Sequence, residues 1–367
     1  MGSVRVHRRR SGTVPVDHRL MGDPEGGRGA PKALGELLAS LDFEAASAAV
    51  ARTAAVTPLL EAPALSAKVG VPVFLKLENL QTTGSFKVRG AAARLSALTP
   101  AERERGIVAC SSGNHGRAVA HVAQQLGIRA TVYVPEWVDS VKLAGIRGAG
   151  AEAVLEGETF DESEVLAMEE SRRSGRPYVS AYDDPWVIAG QGTLALEVLD
   201  ALPEPPSAIL VPLSGGGIVA GVAGALRWRL GASAPPAVAV TADRAAGMLA
   251  SLEAGRPLEV PEQDTVASAL SGGLRPDNRY SFALVQGLVS HHVTVAEDEI
   301  RSAMRFAISH LHLVVEGGGA VGIAALLSGR WQRPAGREGP VVVVVSGGNV
   351  APETLTSVLT AGTEGDG

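Results

Sequence analysis

The sequence predicts an α/β protein with parallel sheet. Three observations carry this: short runs rich in Val, Ile and Ala recur along the 367 residues, the runs are apolar throughout, and amphipathic helical stretches separate them. A strand apolar on both sides has to be covered on both faces, as in a parallel sheet with helices above and below. In chain order the strand candidates are residues 73–78, 106–111, 130–135, 151–156, 208–214, 237–242 and 340–346, the last holding consecutive valines from Val341 to Val345. Of the intervening helices, residues 117–126 show the pattern best. Ala118, Val122 and Leu126 recur every four residues on one face, and Gly127 follows as a C-terminal cap. No segment repeats at a period of roughly 20 to 50 residues, which excludes solenoids and propellers.

With 33 basic and 39 acidic side chains the formal charge is −6, and 46% hydrophobic against 20% charged residues is a balance that buries a large core. Mild acidity and an aromatic share of 4% leave no basic footprint and few stacking platforms for nucleic acid. Apolar runs fall far short of the roughly 20 residues a membrane-spanning helix needs. Neither nucleic acid nor membrane is therefore expected as a partner. The single cysteine, Cys110, cannot form an intramolecular disulfide, and no signal-peptide pattern opens the chain, which predicts a reducing, cytoplasmic setting. Residues 1–32 are rich in Arg, Gly and Pro without apolar periodicity and read as a solvated tail, drawn here to residue 40. The stretch after the last strand is too short for a C-terminal regulatory domain, and residues 362–367 read as a second tail.

Glycine is over-represented at 44 of 367 residues, about 12% against a usual share of roughly 7%. Much of the excess sits at strand ends. Gly84-Ser85-Phe86-Lys87-Val88-Arg89-Gly90 follows the first strand and opens a helix. A lysine there meets the positive end of the helix dipole, which disfavours its ammonium form and suits Schiff-base chemistry; a surface lysine flanked by turn glycines is the other reading. Ser111-Ser112-Gly113-Asn114-His115-Gly116 is a second strand-to-helix turn, either a carboxylate site made of backbone N–H groups, hydroxyls and an amide or a plain helix cap. His115 alone, without a partner carboxylate, reads as structural. Ser214-Gly215-Gly216-Gly217 and Ser346-Gly347-Gly348-Asn349 repeat the order strand, serine, glycines, and three consecutive glycines let backbone N–H groups fold around a phosphate. Neither a Walker loop nor a dinucleotide fingerprint is present, so ATP and dinucleotides rank low. Lysine, phosphate cradle, serine turn and carboxylate pocket together meet the needs of pyridoxal phosphate. The histidines His291, His292, His310 and His312 lack an acid or cysteine to complete a metal site.

In these motifs the chain resembles the fold type II pyridoxal-phosphate enzymes, in the serine/threonine dehydratase and serine racemase branch. The resemblance runs from about Thr53 to Leu359 and also includes Thr57-Pro58-Leu59, Lys76-Leu77-Glu78, Ile188-Ala189-Gly190-Gln191-Gly192-Thr193 and the segment from Glu316 to Ala320. It implies a tryptophan synthase β-like fold, with two parallel-sheet subdomains and the cofactor in the cleft between them. The larger would hold residues 41–105 and 182–361, the smaller residues 106–181, and their closure would exclude water. Carried over residue by residue, Lys87 would hold the cofactor aldehyde, with Phe86 packed beside it and Glu316 nearby. Asn114 would bond the ring oxygen, Ser214, Gly215, Gly216, Gly217 and Ile218 would bind the phosphate, and Ser346 would face the pyridine nitrogen. Ser111, Ser112, Asn114 and His115 would hold the substrate carboxylate.

The implied reaction has Lys87 removing the α-proton of a β-hydroxy amino acid, after which the β-hydroxyl leaves as water and the dehydrated product is hydrolysed to a 2-oxo acid and ammonia. Serine, threonine, 3-hydroxyaspartate and hydroxylated diaminobutyrate-type acids are the candidate substrates. Racemisation or β-replacement is the alternative, because Ser112 holds the position of the racemases' acid–base group opposite the lysine. The chain departs from the family at Ser214, where many relatives have a first glycine, and at Thr241, Ala245 and Gly247, where racemase-like relatives place acidic metal ligands; no metal is expected. Residues 243–248, 254–257 and 271–279 most resemble hydroxyectoine-utilisation dehydratases, and Arg275, Asp277 and Arg279 there could recognise a longer polar substrate or form a solvated loop. Homodimerisation is expected from the family.

Overall fold

Five valines at the middle of the larger sheet organise the fold. The computed structural model describes residues 34–111, 113–138, 140–333 and 336–360. Among these residues the strands are β1 (Leu59–Glu61), β2 (Val73–Leu77), β3 (Ile107–Cys110), β4 (Ala130–Val134), β5 (Glu152–Leu155), β6 (Ala208–Pro212), β7 (Ala237–Ala242), β8 (His291–Val295) and β9 (Val341–Val345). Six form one sheet in the order β1-β2-β9-β6-β7-β8, and β3-β4-β5 form the other. All pairs are parallel except β1 with β2. In β9, Val341 pairs with Val73 of β2 on one side and with Ala208 of β6 on the other. Its valines are 0% exposed, and each such burial stabilises by about 1.5 kcal/mol or more.

Helices cover both faces of the large sheet. Leu65, Ile300, Met304 and Ile323 pack on one face, from helices Pro63–Val69, Glu297–Leu311 and Gly317–Leu327. The other face takes Phe43, Ile188, Leu194 and Val222, from helices Phe43–Thr53, Pro185–Ala201 and Gly217–Leu230. Helix Pro185–Ala201 starts where it does because Asp184 accepts the N–H groups of Trp186 (2.8 Å) and Val187 (3.0 Å), with Pro185 at the first helical position. Around the small sheet, helix Asn114–Gln125 supplies Ala118, Val119 and Val122 to a core that also takes Val88, Ala91 and Leu95 from helix Lys87–Ser96. That last helix therefore joins the two sheets.

Beneath it lies a buried ion network. The Arg89 guanidinium donates to Glu78 through Nε and Nη2 (2.8 Å each), to Glu197 through Nη1 (2.6 Å) and Nη2 (2.8 Å), and to Thr193 Oγ1 (3.1 Å). Lys76 pairs with Glu197 and donates to Thr57 O at 2.8 Å. Burial alone would raise the Glu78 carboxyl, but Arg89 overrides it and holds the group below the usual carboxylate range. Two cations and two carboxylates cancel, which lets Arg89 and Glu78 sit at 0% exposure.

The structure corrects several expectations. Residues 34–39 are not tail but the helix Leu34–Ala39, with Leu37 in the core; residues 1–33 and 361–367, and with them the rest of both expected tails, lie outside the described residues. The helix expected from residue 117 begins at Asn114 and ends at Gln125, with Gly127 in the left-handed region at φ +66°. Strands β1 and β8 were not expected: β1 is three residues long and mostly exposed, and β8 opens with exposed His291 and His292, so neither has an uninterrupted apolar run.

Candidate active site

The carboxyl ends of β2, β9 and β6 are neighbours in the large sheet, and they deliver Lys87, Ser346 and the Ser214 turn to one place. The loops after β2 and β9 are tied together directly: Phe86 N–H donates to Ser346 O (3.0 Å) and Gly348 N–H to Gly84 O (2.9 Å). Across from them, β3 ends in the turn before helix Asn114–Gln125. The resulting cleft has a volume of ≈ 580 Å³, and Phe86, Lys87, Ser111, Asn114, His115, Ser214, Gly215, Gly216, Gly217, Ile218, Glu316 and Ser346 all line it. Ser112 lies outside the described residues.

Lys87 is the first residue of its helix, and its Nζ donates to Ala181 O at 2.8 Å and stands 5.1 Å from the centre of the Phe86 ring. Burial pushes its ammonium down from 10.5 to about 8, with the Glu316 carboxylate pulling the other way. Glu316 is itself raised to about 7 by burial, against the opposing pull of the Asn114 amide and Lys87. Asn114 Nδ2 donates to Glu316 Oε1 (2.8 Å), Asn349 Nδ2 donates to Asn114 Oδ1 (2.7 Å), and Arg117 Nη1 donates to Asn349 Oδ1 (2.8 Å). This relay fixes the Asn114 amide. Asn349 and Arg117 were not among the residues expected at the site, although Asn349 directly follows the Ser346-Gly347-Gly348 turn.

The His115 side chain is buried and engaged with backbone. Its Nε2 is bonded to Val179 O (2.9 Å), and burial, helped by Lys87, lowers it to about 3, so the imidazole is neutral. The turn presents backbone: the first helical bond is Arg117 N–H to Gly113 O (3.2 Å), so the N–H groups of Asn114, His115 and Gly116 precede it. Ser111 Oγ accepts Gly113 N–H at 3.1 Å. The Ser214 turn is built alike, with Gly216 at φ +88° and a first helical bond from Ala220 N–H to Gly216 O (2.9 Å). Two helix N-termini thus face one cleft with a deprotonatable lysine between them. Ser346 is buried, its hydroxyl 3.4 Å from Gly318 O.

A family model described as "Pyridoxal-phosphate dependent enzyme" matches residues 50–347. The chain belongs to the pyridoxal-phosphate dependent enzymes. Its fold is that of fold type II, and it is similar to the L-threonine ammonia-lyase of Thermotoga maritima, at 37% identity over 83% of this chain and 74% of the relative. Among solved structures, the processed threonine deaminase isoform 2 of Solanum lycopersicum superimposes with a TM-score of 0.81 at 31% identity, covering 91% of this chain and 95% of the other. Maize serine racemase gives 0.80 at 29%, covering 88% and 98%. The cofactor of this enzyme is pyridoxal phosphate, and the site fits it: a lysine of lowered basicity suits the aldehyde, and a glycine turn with unpaired N–H groups suits the phosphate.

Capture of pyridoxal phosphate by the apoprotein requires the neutral amine. Its rate is therefore expected to climb with pH and level off above about 8, rather than above the 10.5 of an ordinary lysine. Glu316→Gln removes the charge that favours the ammonium form and should move the midpoint to lower pH. Stopped-flow absorbance reads both proteins, and a midpoint that stays put or rises would refute the coupling.

Proposed function

We propose that this chain is an ammonia lyase that eliminates the β-hydroxyl of a β-hydroxy amino acid as water, after which hydrolysis of the dehydrated product takes a water back and leaves a 2-oxo acid and ammonia. The observation that carries the reading is Lys87, half-buried and lowered to about 8, between the Ser214 and Asn114 turns. When bound, pyridoxal phosphate supplies a sink for the electron pair left at the α-carbon. Lys87 anchors the cofactor and, once free and neutral, takes the α-proton at Nζ. The N–H groups of Asn114, His115 and Gly116, with the Ser111 hydroxyl, hold the substrate carboxylate. Asn114 and Phe86 orient the ring, the backbone of residues 214–218 holds the phosphate, and Glu316 sets the charge beside Lys87. Ser346 offers the ring nitrogen a neutral hydroxyl rather than a carboxylate, which favours prompt elimination over prolonged carbanion character. Closure of the small-sheet unit, residues 106–181, on the rest would keep water out.

For the side chain, we favour an acid bearing a distal amine, of the hydroxylated diaminobutyrate type, over 3-hydroxyaspartate. Asp161, Glu164 and Glu262 line the outer cleft, and the Arg275 guanidinium there is already matched by Asp277 at 3.0 Å. A second substrate carboxylate would meet repulsion, whereas an ammonium would meet attraction. The resemblance of residues 271–279 to hydroxyectoine-utilisation dehydratases agrees with this.

The test incubates the holoenzyme with L-serine, L-threonine, 3-hydroxyaspartate and a hydroxylated diaminobutyrate while following keto acid, ammonia and enantiomer. Keto acid and ammonia in equal amounts, with 3-hydroxyaspartate the slowest, is the expected outcome. The D-amino acid formed without ammonia would establish racemisation instead.

A further inference from the structure

Residues 178–184 thread between the two sheets and touch each part of the cleft. Their start extends the small sheet: Val108 N–H donates to Pro177 O (3.0 Å), and Val179 N–H donates to Val108 O (2.8 Å). Further on, Ala181 O receives the Lys87 amine. Asp183 then accepts the N–H groups of Arg279 and Tyr280 (2.8 Å each) and Ser281 (2.9 Å), fixing the start of helix Ser281–Leu288. Between these anchors stands Tyr182, in the cleft wall and marked by no motif.

The Tyr182 ring lies flat against the glycine turn. A Cβ added at Gly215 would stand 2.4 Å from its Cγ and 2.6 and 2.7 Å from its two Cδ atoms, and one added at Gly217 would stand 2.8 Å from Tyr182 Cα and O. From the opposite side, Met248 Cε and Val285 Cγ2 would lie 2.6 and 3.0 Å from a Cβ at Gly216. The turn is therefore gripped on both sides. A run of three glycines is otherwise the most costly backbone to order around a ligand.

We propose that Tyr182 is the positioning residue of the anion turn, its ring holding Gly215 while its backbone abuts Gly217, so that the N–H groups of the turn are set before the phosphate arrives. This rests on the reading of residues 214–218 as the phosphate turn. Preorganised donors lose less on binding, so removal of the ring should weaken affinity for the phosphorylated cofactor specifically.

The experiment measures the dissociation constants of pyridoxal phosphate and of pyridoxal, which lacks the phosphate, for the full-length apoprotein by absorbance. The unaltered chain should prefer pyridoxal phosphate; no preference would refute the phosphate turn itself, whatever Tyr182 does. Tyr182→Ala should raise the constant for pyridoxal phosphate by at least about tenfold and leave that for pyridoxal unchanged, whereas Tyr182→Phe should keep both. Equal weakening of the two ligands, or no weakening, would overturn the role of Tyr182. Gly215→Ala should weaken pyridoxal phosphate in the intact chain and cost little more once Tyr182 is alanine; simple additivity would overturn the contact. Should Tyr182→Ala not fold, Tyr182→Leu, which keeps bulk but not the flat face, carries the same expectation.

Discussion

Lys87→Ala is expected to release keto acid and ammonia at least about 10³-fold more slowly than the unaltered chain. The substitution removes both the anchor for the cofactor aldehyde and the base that takes the α-proton, and neither of the other two lysines whose side chains are described can replace it. Lys76 is 1% exposed and engaged by Glu197 and the Thr57 carbonyl, and Lys68 is on the surface. Stability should barely change. Lys87 opens its helix, a position where alanine is well tolerated, and the only hydrogen bond lost is that to Ala181 O. A coupled keto-acid assay beside a melting curve separates the two effects, and activity within tenfold of the parent would remove Lys87 from the chemistry.

Arg89→Ala is expected to be the most destabilising single change, by about 3–5 kcal/mol, because it strands a buried carboxylate at Glu78 and halves the counter-charge at Glu197. That corresponds to a fall in melting temperature on the order of 10 °C. The cause is the orphaned charge rather than lost packing, so Glu78→Gln introduced into the Arg89→Ala chain should recover part of the loss. If the double variant melts no higher than Arg89→Ala alone, the electrostatic account fails. The network also locates the start of the Lys87 helix, since Arg89 lies two residues beyond the lysine, and cofactor affinity should fall along with stability.

The larger part of this site could be read from the chain because its chemistry is local. Glycine turns at strand ends are forced by backbone geometry, as at Gly216 with φ +88°, and an all-valine run such as Val341–Val345 has nowhere to go but the middle of a covered sheet. What escaped the sequence is tertiary. Glu197 is 108 residues from Arg89, Asn349 is 235 from Asn114, and Val179 is 64 from His115; no periodicity links such partners. Tyr182 left no trace because its function lies in a ring face rather than in a motif. Strand β8 escaped because its sheet position, on the outer edge beside β7, spares it the continuous apolar run of the inner strands.

The central claim is that Lys87 holds the cofactor, and the chain has only five lysines, Lys32, Lys68, Lys76, Lys87 and Lys142, on which to test it. Borohydride reduction of the pyridoxal phosphate-loaded protein, followed by peptide mass spectrometry, should place a single phosphopyridoxyl group on Lys87. A label on any of the other four in its stead, or a protein that stays colourless and unlabelled, would contradict it.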